Sequence, residues 1–279
     1  MLPYSVGRSV WDREAMISCL DDFLELYRTR PIRNNQGGMR APHIFLMWYV
    51  LREMRPDLVV ESGIWKGQGT WFIEKACPSA RIICMDPDLS RLEYKSPKAL
   101  YTTEDFSSFD FSQVDAGRSV VFFDDHQHAP DRLFQAASKG FSELLFEDNY
   151  YPAEVADCYT LKVALAGESW YPEFSLSNIL KRILHGKPKP YLHTQAMAQK
   201  LERLIDVYEE LPPVALSSTT RWNTEWSATP SPLLTGFDTA RQEFWDEADA
   251  YTWMAYVRLR QEAGAVDERP QLDDGKAVR

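Results

Sequence analysis

The chain has 279 residues, enough to bury a full core as one large domain or as one domain with a sizeable insertion. Hydrophobic residues make up 44% and charged residues 26%, the balance of an ordinary soluble globular protein, and 41 acidic against 31 basic side chains leave a formal charge of −10. An acidic surface repels phosphate backbones, and the best basic cluster (Lys181, Arg182, Lys187, Lys189) is too sparse to reverse that, so no nucleic-acid partner is expected.

Residues 11–30 place Ile17, Leu20, Phe23, Leu24 and Tyr27 at helical spacing and predict an amphipathic helix. A polar loop, Asn34-Asn-Gln-Gly-Gly38, follows, and Pro42 then stands where a helix can begin, predicting one over residues 43–54. After the break at Pro56-Asp57 short apolar runs at 58–61, 81–86, 99–102, 118–123 and 143–146 predict strands, with helices at 69–76 and 131–139 between them. That alternation argues for βαβ units and a doubly wound, mostly parallel α/β sheet covered on both faces. Beyond Pro152 the pattern predicts helices over 159–167, 175–185 and 194–210, a strand at 212–216, a loop over 219–236 and one long aromatic helix over 238–263 with Asp238 as its N-cap.

The expected organisation is thus a helical extension (1–55), a core (56–152), a helical, aromatic-rich insertion serving as lid or substrate wall (153–236), a C-terminal helix completing the core (237–263) and a flexible tail (264–279). Cys19, Cys77, Cys84 and Cys158 form no CxxC pair, so reduced thiols in a cytoplasmic protein are expected rather than a disulfide framework or a zinc ribbon. The first residues lack the apolar core of a signal peptide, and no apolar stretch approaches the length of a membrane span, so no membrane partner is expected.

Two constellations carry chemistry. The first predicted strand runs into Glu61-Ser-Gly-Ile-Trp-Lys-Gly-Gln-Gly-Thr70, whose glycines at 63, 67 and 69 let the backbone turn sharply and approach a ligand. The spacing matches neither the dinucleotide fingerprint nor the nucleotide-triphosphate loop. The second strand ends at Asp86, an acidic side chain about 20 positions past the loop, where two carboxylate oxygens suit two vicinal ribose hydroxyls. The second constellation is a pair of acidic strand ends, Asp124-Asp-His-Gln-His128 after the fourth strand and Glu147-Asp-Asn149 after the fifth. Carboxylates and an amide oxygen suit a hard cation such as Mg²⁺, whereas zinc would want more nitrogen or sulfur. His126 and His128 would share a side only in a strand conformation.

Glu61 with its glycine loop resembles the first motif of the class I S-adenosylmethionine-dependent methyltransferases, which implies a Rossmann-like fold. The order VFFDDH and then LLFEDN resembles the magnesium-dependent catechol O-methyltransferase branch, with Gly37-Gly-Met-Arg40 and Pro56-Asp-Leu-Val-Val-Glu61 in family-like order. The likeness covers about residues 37–152 and extends to the cephalosporin-hydroxylase-like and macrolide sugar O-methyltransferase groups. It implies S-adenosylmethionine and Mg²⁺ or another divalent cation as cofactors. Cofactor contacts would fall to Glu61, Gly63, Gly67, Gly69, Thr70, Asp86, Asp105 and Asp124, with Asp105 beside the adenine or else capping its own loop.

The implied metal ligands are Asp148, Asn149 and one of Asp124 and Asp125, with Glu147 joining if a Glu-Asp pair binds the ion. Counting from the strand selects Asp124, and counting from the Asp-His pair selects Asp125. Where the catechol enzymes carry a catalytic lysine, this chain has Gln127 or His128, which makes His128 the expected general base and His126 the second choice. The expected activity is methyl transfer to a hydroxyl of a small molecule, a sugar or an aromatic natural product. A metal-dependent hydrolase or hydroxylase-like enzyme explains less of the chain. A non-catalytic binding module would use the aromatic C-terminal segment as a face for partners, and a homodimer through Trp245, Tyr251, Trp253 and Tyr256 is an open alternative to their packing on the sheet.

Overall fold

Each of the five expected βα-region strands is present in the computed structural model, which describes residues 11–149, 158–171, 191–216 and 230–260. They are β1 (Leu58–Ser62), β2 (Arg81–Met85), β3 (Ala99–Thr102), β4 (Ser119–Phe123) and β5 (Glu143–Phe146), paired in parallel. β1 and β4 are buried at every residue, as uninterrupted apolar strands covered on both faces must be, while edge strand β3 is half-exposed. Two further strands, β6 (Ile205–Glu210) and β7 (Ala255–Leu259), complete a seven-stranded sheet of order β3-β2-β1-β4-β5-β7-β6, a Rossmann-like α/β fold. The winding reverses between β1 and β4, and a ligand crevice in such sheets opens beyond the carboxyl ends of the strands at that point.

Helices α1 (Arg13–Ser18) and α2 (Leu20–Tyr27) break the expected single N-terminal helix at Cys19. Helix α3 (Ala41–Met54) is buried on every side from Ala41 to Leu51, so it is a core helix rather than a surface one. Its first turn is tied to the C-terminal segment, where Glu247 Oε2 accepts from the Ala41 amide at 2.7 Å and the Tyr27 hydroxyl at 2.8 Å. Helices α4 (Gln68–Ala76) and α5 (Ala129–Ser138) are the crossovers following β1 and β4. The short α6 (Leu161–Leu165) falls within the helix expected over 159–167.

The C-terminal third corrects three expectations. Residues 194–210 are not one helix: α7 (Gln195–Leu204) stops where Ile205-Asp-Val-Tyr208 alternates apolar and polar side chains, and that run becomes β6. Residues 212–216 form no strand. The long helix expected over 238–263, the helix assigned to complete the core, is instead a 3₁₀ turn capped by Asp238, the short α8 (Gln242–Asp246), a second turn and then β7, antiparallel to both β5 and β6. A short buried strand has no polar face, so periodicity cannot separate it from a buried helix.

Of the four side chains named for a partner face, Tyr251, Trp253 and Tyr256 are 0%, 1% and 2% exposed and pack in the core, while Trp245 is only partly buried. In the aromatic insertion, Tyr159 and Trp170 are likewise buried, and Tyr191 stacks on Tyr159 with ring centroids 4.5 Å apart. Tyr150, Tyr151, Phe174, Trp222, Trp226, the helix expected over 175–185 and the tail lie outside the described residues. Among the described residues no helix is long and apolar enough to cross a membrane.

Candidate active site

The hydrogen-bond ladder of the sheet continues one step beyond the strands and fixes their tips. Gly63 N–H donates to Met85 O at 2.8 Å, Asp124 N–H to Ser62 O at 2.8 Å and Glu147 N–H to Phe123 O at 2.9 Å. Four strand ends therefore present their first loop residues side by side.

At β1, Gly63 lies in the left-handed region (φ 93°), and a Cβ there would sit 1.9 Å from the Asp124 carbonyl oxygen. Only glycine fits this approach of the first loop to the β4 tip. Gly67 (φ 90°) is equally constrained, its would-be Cβ 2.3 Å from the Tyr94 carbonyl oxygen. Gly69 makes room for a side chain: a Cβ would meet Glu61 Oε1 at 2.3 Å. Glu61 is thus tucked under α4 at 1% exposure, its Oε2 accepting from the Thr70 hydroxyl at 2.5 Å and from Cys84 Sγ at 3.5 Å. Burial pushes its carboxyl up to about 8, against the opposing hydrogen bonds from Thr70 and Cys84. Glu61, Gly69 and Thr70 accordingly brace the loop from beneath. Asp86 does so from the side: its Oδ2 accepts from the Ile64 and Trp65 amides at 2.9 and 3.1 Å, and its Oδ1 from the Asp88 amide at 2.9 Å.

At the β4 and β5 tips the two aspartates of the doublet part company. Asp124 joins His126 and Asp148, with one potential ligand atom from each lying within 4.8 Å of the others. Asp125 turns the other way. Its Oδ2 accepts from Ser62 Oγ at 2.6 Å and from Arg132 Nε at 2.8 Å, while the far end of the same guanidinium grips Asp105 at 2.9 and 2.6 Å. Arg132 holds the Asp105 carboxyl well below the usual range, and Asp105 also caps its own loop at the Ser107 amide. For Asp125, burial raises the carboxyl and Arg132 opposes that.

His126 and Asp148 both adopt left-handed backbone, φ 52° and 51°, uncommon for side chains of this size. The two meet, His126 Nδ1 lying 3.0 Å from Asp148 Oδ2. The turn at His126 also separates the two histidines, because the shared face expected for positions i and i+2 needs a strand. His128 is the N-cap residue of α5. Its Nδ1 accepts from the Tyr159 amide at 3.0 Å, and its ring lies edge-on to Tyr191 and Trp170 at 5.0 and 5.3 Å.

Asn149 is 1% exposed and committed at both ends: Oδ1 accepts from the Lys162 amide at 2.9 Å and Nδ2 donates to the Tyr208 hydroxyl at 2.8 Å. Tyr208 in turn donates to Glu210, which is paired with Lys162 Nζ at 2.5 Å. Glu147 Oε1 accepts from Thr252 Oγ1 at 2.8 Å, and the Thr252 amide donates to Nε2 of the buried His43 at 2.7 Å. Its Oε2 is buried without a hydrogen-bond partner among the described residues.

A cleft lined by Asp124, Asp125, His126, Glu147, Asp148 and Asn149 opens here. His128 is not among its lining residues. Burial and then the Asp148 charge push the Asp124 carboxyl well up, with His126 opposing; burial and the Asp148 and Asp124 charges do the same at Glu147. Such mutual repulsion is relieved by a cation or by protons. Arg132, Lys162, Glu210, Tyr208, Thr252 and His43 were not legible in the sequence as parts of this region.

No protein-family model and no curated protein matches this chain. Among solved structures, it is similar to the O-methyltransferase TomG from Streptomyces achromogenes in complex with S-adenosylmethionine, at 11% identity and a TM-score of 0.45 over 91% of this chain and 92% of that one. The S-adenosylhomocysteine-bound methyltransferase PaMTH1 of Podospora anserina matches at 11% identity and TM-score 0.45 over 91% of each chain. A structure described as CmcI-N160, apo, matches at 18% identity and TM-score 0.34 over 52% of this chain and 68% of that one.

Proposed function

We propose that this chain is an S-adenosylmethionine-dependent O-methyltransferase that uses a divalent cation and acts on a hydroxyl of a small molecule. One observation carries the reading. At the topological switch point the glycine loop and the acidic cluster share a wall, the Gly63 backbone passing so close to the Asp124 carbonyl that no Cβ could intervene. A cofactor along the loop and an ion among the acids would therefore lie in one crevice.

The residues fit both groups. Gly63 and Gly67 turn the loop back on itself, and Asp86 stands at its rim, half-buried, with its carboxylate fixing the loop amides. Asp124 and Asp148 offer oxygen donors, and Glu147 Oε2 is a buried acceptor with no donor of its own. When bound, S-adenosylmethionine supplies a methyl group already activated on sulfur, and a divalent cation supplies the positive charge that lets a hydroxyl lose its proton near neutral pH. What the chain does is hold these in register. Asp125, through Ser62 and Arg132, locks the β4 turn so that Asp124 faces the β5 tip. Asn149, clamped between Lys162 and Tyr208, fixes the backbone that follows Asp148.

The test is calorimetric binding of S-adenosylhomocysteine, followed by transfer of labelled methyl from S-adenosylmethionine to a panel of sugars and catechols with and without chelator. Micromolar binding and chelator-sensitive transfer are expected. A folded chain that binds no S-adenosylhomocysteine contradicts the reading.

A further inference from the structure

We propose that the His126 imidazole is itself a donor to the cation, so that the site takes a divalent first-row transition ion, Mn²⁺ or a later member of the series, in preference to Mg²⁺. The inference rests on the reading of this cluster as a cation site and sharpens it.

Asp124, Asp148 and Glu147 line the cleft, whereas the two other candidate oxygen donors are engaged elsewhere. Asp125 is bound by Ser62 and Arg132, and the Asn149 amide is held at its oxygen by the Lys162 N–H and at its nitrogen by Tyr208. The third group that does reach the pair is His126, whose Nδ1 is 3.0 Å from Asp148 Oδ2. Donors at metal-ligand distance from one centre stand no more than roughly 4.4 Å apart. The 4.8 Å within which one atom each of Asp124, His126 and Asp148 falls therefore needs to close by only a few tenths of an ångström.

An independent feature points into the same space: Glu147, 8% exposed, lines the cleft, and its Oε2 has no hydrogen-bond partner among the described residues. An imidazole and carboxylates gathered in one cleft would leave coordination positions open for a substrate oxygen. Mg²⁺ favours all-oxygen shells, whereas imidazole nitrogen favours transition ions along the rising affinity series.

The experiment uses the full chain freed of metal by chelation, titrated calorimetrically with MnCl₂ and MgCl₂, with pulsed electron paramagnetic resonance of the Mn²⁺-loaded protein. One Mn²⁺ per chain is expected, bound on the order of tenfold or more tightly than Mg²⁺, with a nitrogen hyperfine coupling. His126 is half-exposed and its backbone is left-handed, a conformation asparagine tolerates, so His126→Asn tests the ligand without breaking the turn. That variant is expected to lose the nitrogen coupling and about tenfold of its Mn²⁺ affinity while Mg²⁺ binding stays within roughly threefold. Mn²⁺ binding without nitrogen coupling, unchanged in His126→Asn, overturns the imidazole ligand and leaves the cation site standing. Binding of neither ion by the wild-type chain overturns both.

Discussion

Two carboxylate pairs each have one member at the β4 tip, and they are built on opposite principles. Asp105 and Asp125 share one buried guanidinium, Arg132, which meets both within hydrogen-bond distance. Asp124 and Glu147 make no ion pair with lysine or arginine among the described residues, and with Asp148 they crowd one cleft. The first pair is complete as folded and can only be scaffold. The second is incomplete as folded, and its carboxyls are driven toward protonation by burial and by each other. Adjacent residues of one doublet, Asp124 and Asp125, thus serve opposite ends: one is held in place, and the other is held out.

The sharpest way to break that contrast is to remove one member of each kind. Asp148→Ala is expected to lower methyl transfer by about a thousandfold or more while S-adenosylhomocysteine binding stays within a few-fold, measured by turnover and calorimetry on the same preparation. Full turnover of that variant in chelator would sink the cation assignment. Arg132→Met is expected to cost about 3–5 kcal/mol in urea unfolding, because it strands two acids where one cation served both. A loss below 1 kcal/mol would show that the pair is no scaffold.

Smaller effects sharpen the picture. Glu61 is 1% exposed and its carboxyl is raised to about 8 from an ordinary 4.5. The raised value means the folded state holds the proton more tightly, so this contribution is full below pH 4.5 and is lost as pH climbs through about 8. Glu61→Gln should therefore unfold at higher temperature than wild type at pH 9, by roughly 1–3 kcal/mol of stability, and lose that advantage at pH 5. Asp124→Asn, which removes one of the crowded charges, is expected to stabilise the metal-free protein by about 1 kcal/mol while abolishing cation binding. Destabilisation on that substitution would place Asp124 with the scaffold.

How much of this was readable beforehand follows from the range of the interactions. The parallel half of the sheet was legible because each strand is a short apolar run flanked by breakers, as at Leu58–Ser62 and Ser119–Phe123. The C-terminal strand was not: Ala255–Leu259 is buried by β5 and β6 on its two sides, a tertiary fact that leaves an aromatic run looking helical. Glu61, the glycines and the acidic tips were found because they sit at fixed offsets from strands. The choice between Asp124 and Asp125 could not be made, since strand alternation ends at Phe123 and the left-handed turn at His126 is invisible in a string of residues. The expectation of His128 as base rests on the position of the lysine in the catechol enzymes, and the structure puts His126 in the cleft and His128 on the Tyr159 amide.

The most direct test of the cation site is a crystal structure with S-adenosylhomocysteine and Mn²⁺, with the ion located by its anomalous scattering. A peak among Asp124, His126 and Asp148 is expected, with the cofactor running along the loop from Gly63 to Gly69. A peak on Asp125 or Asn149 instead, or a cofactor bound away from that loop, would contradict that expectation.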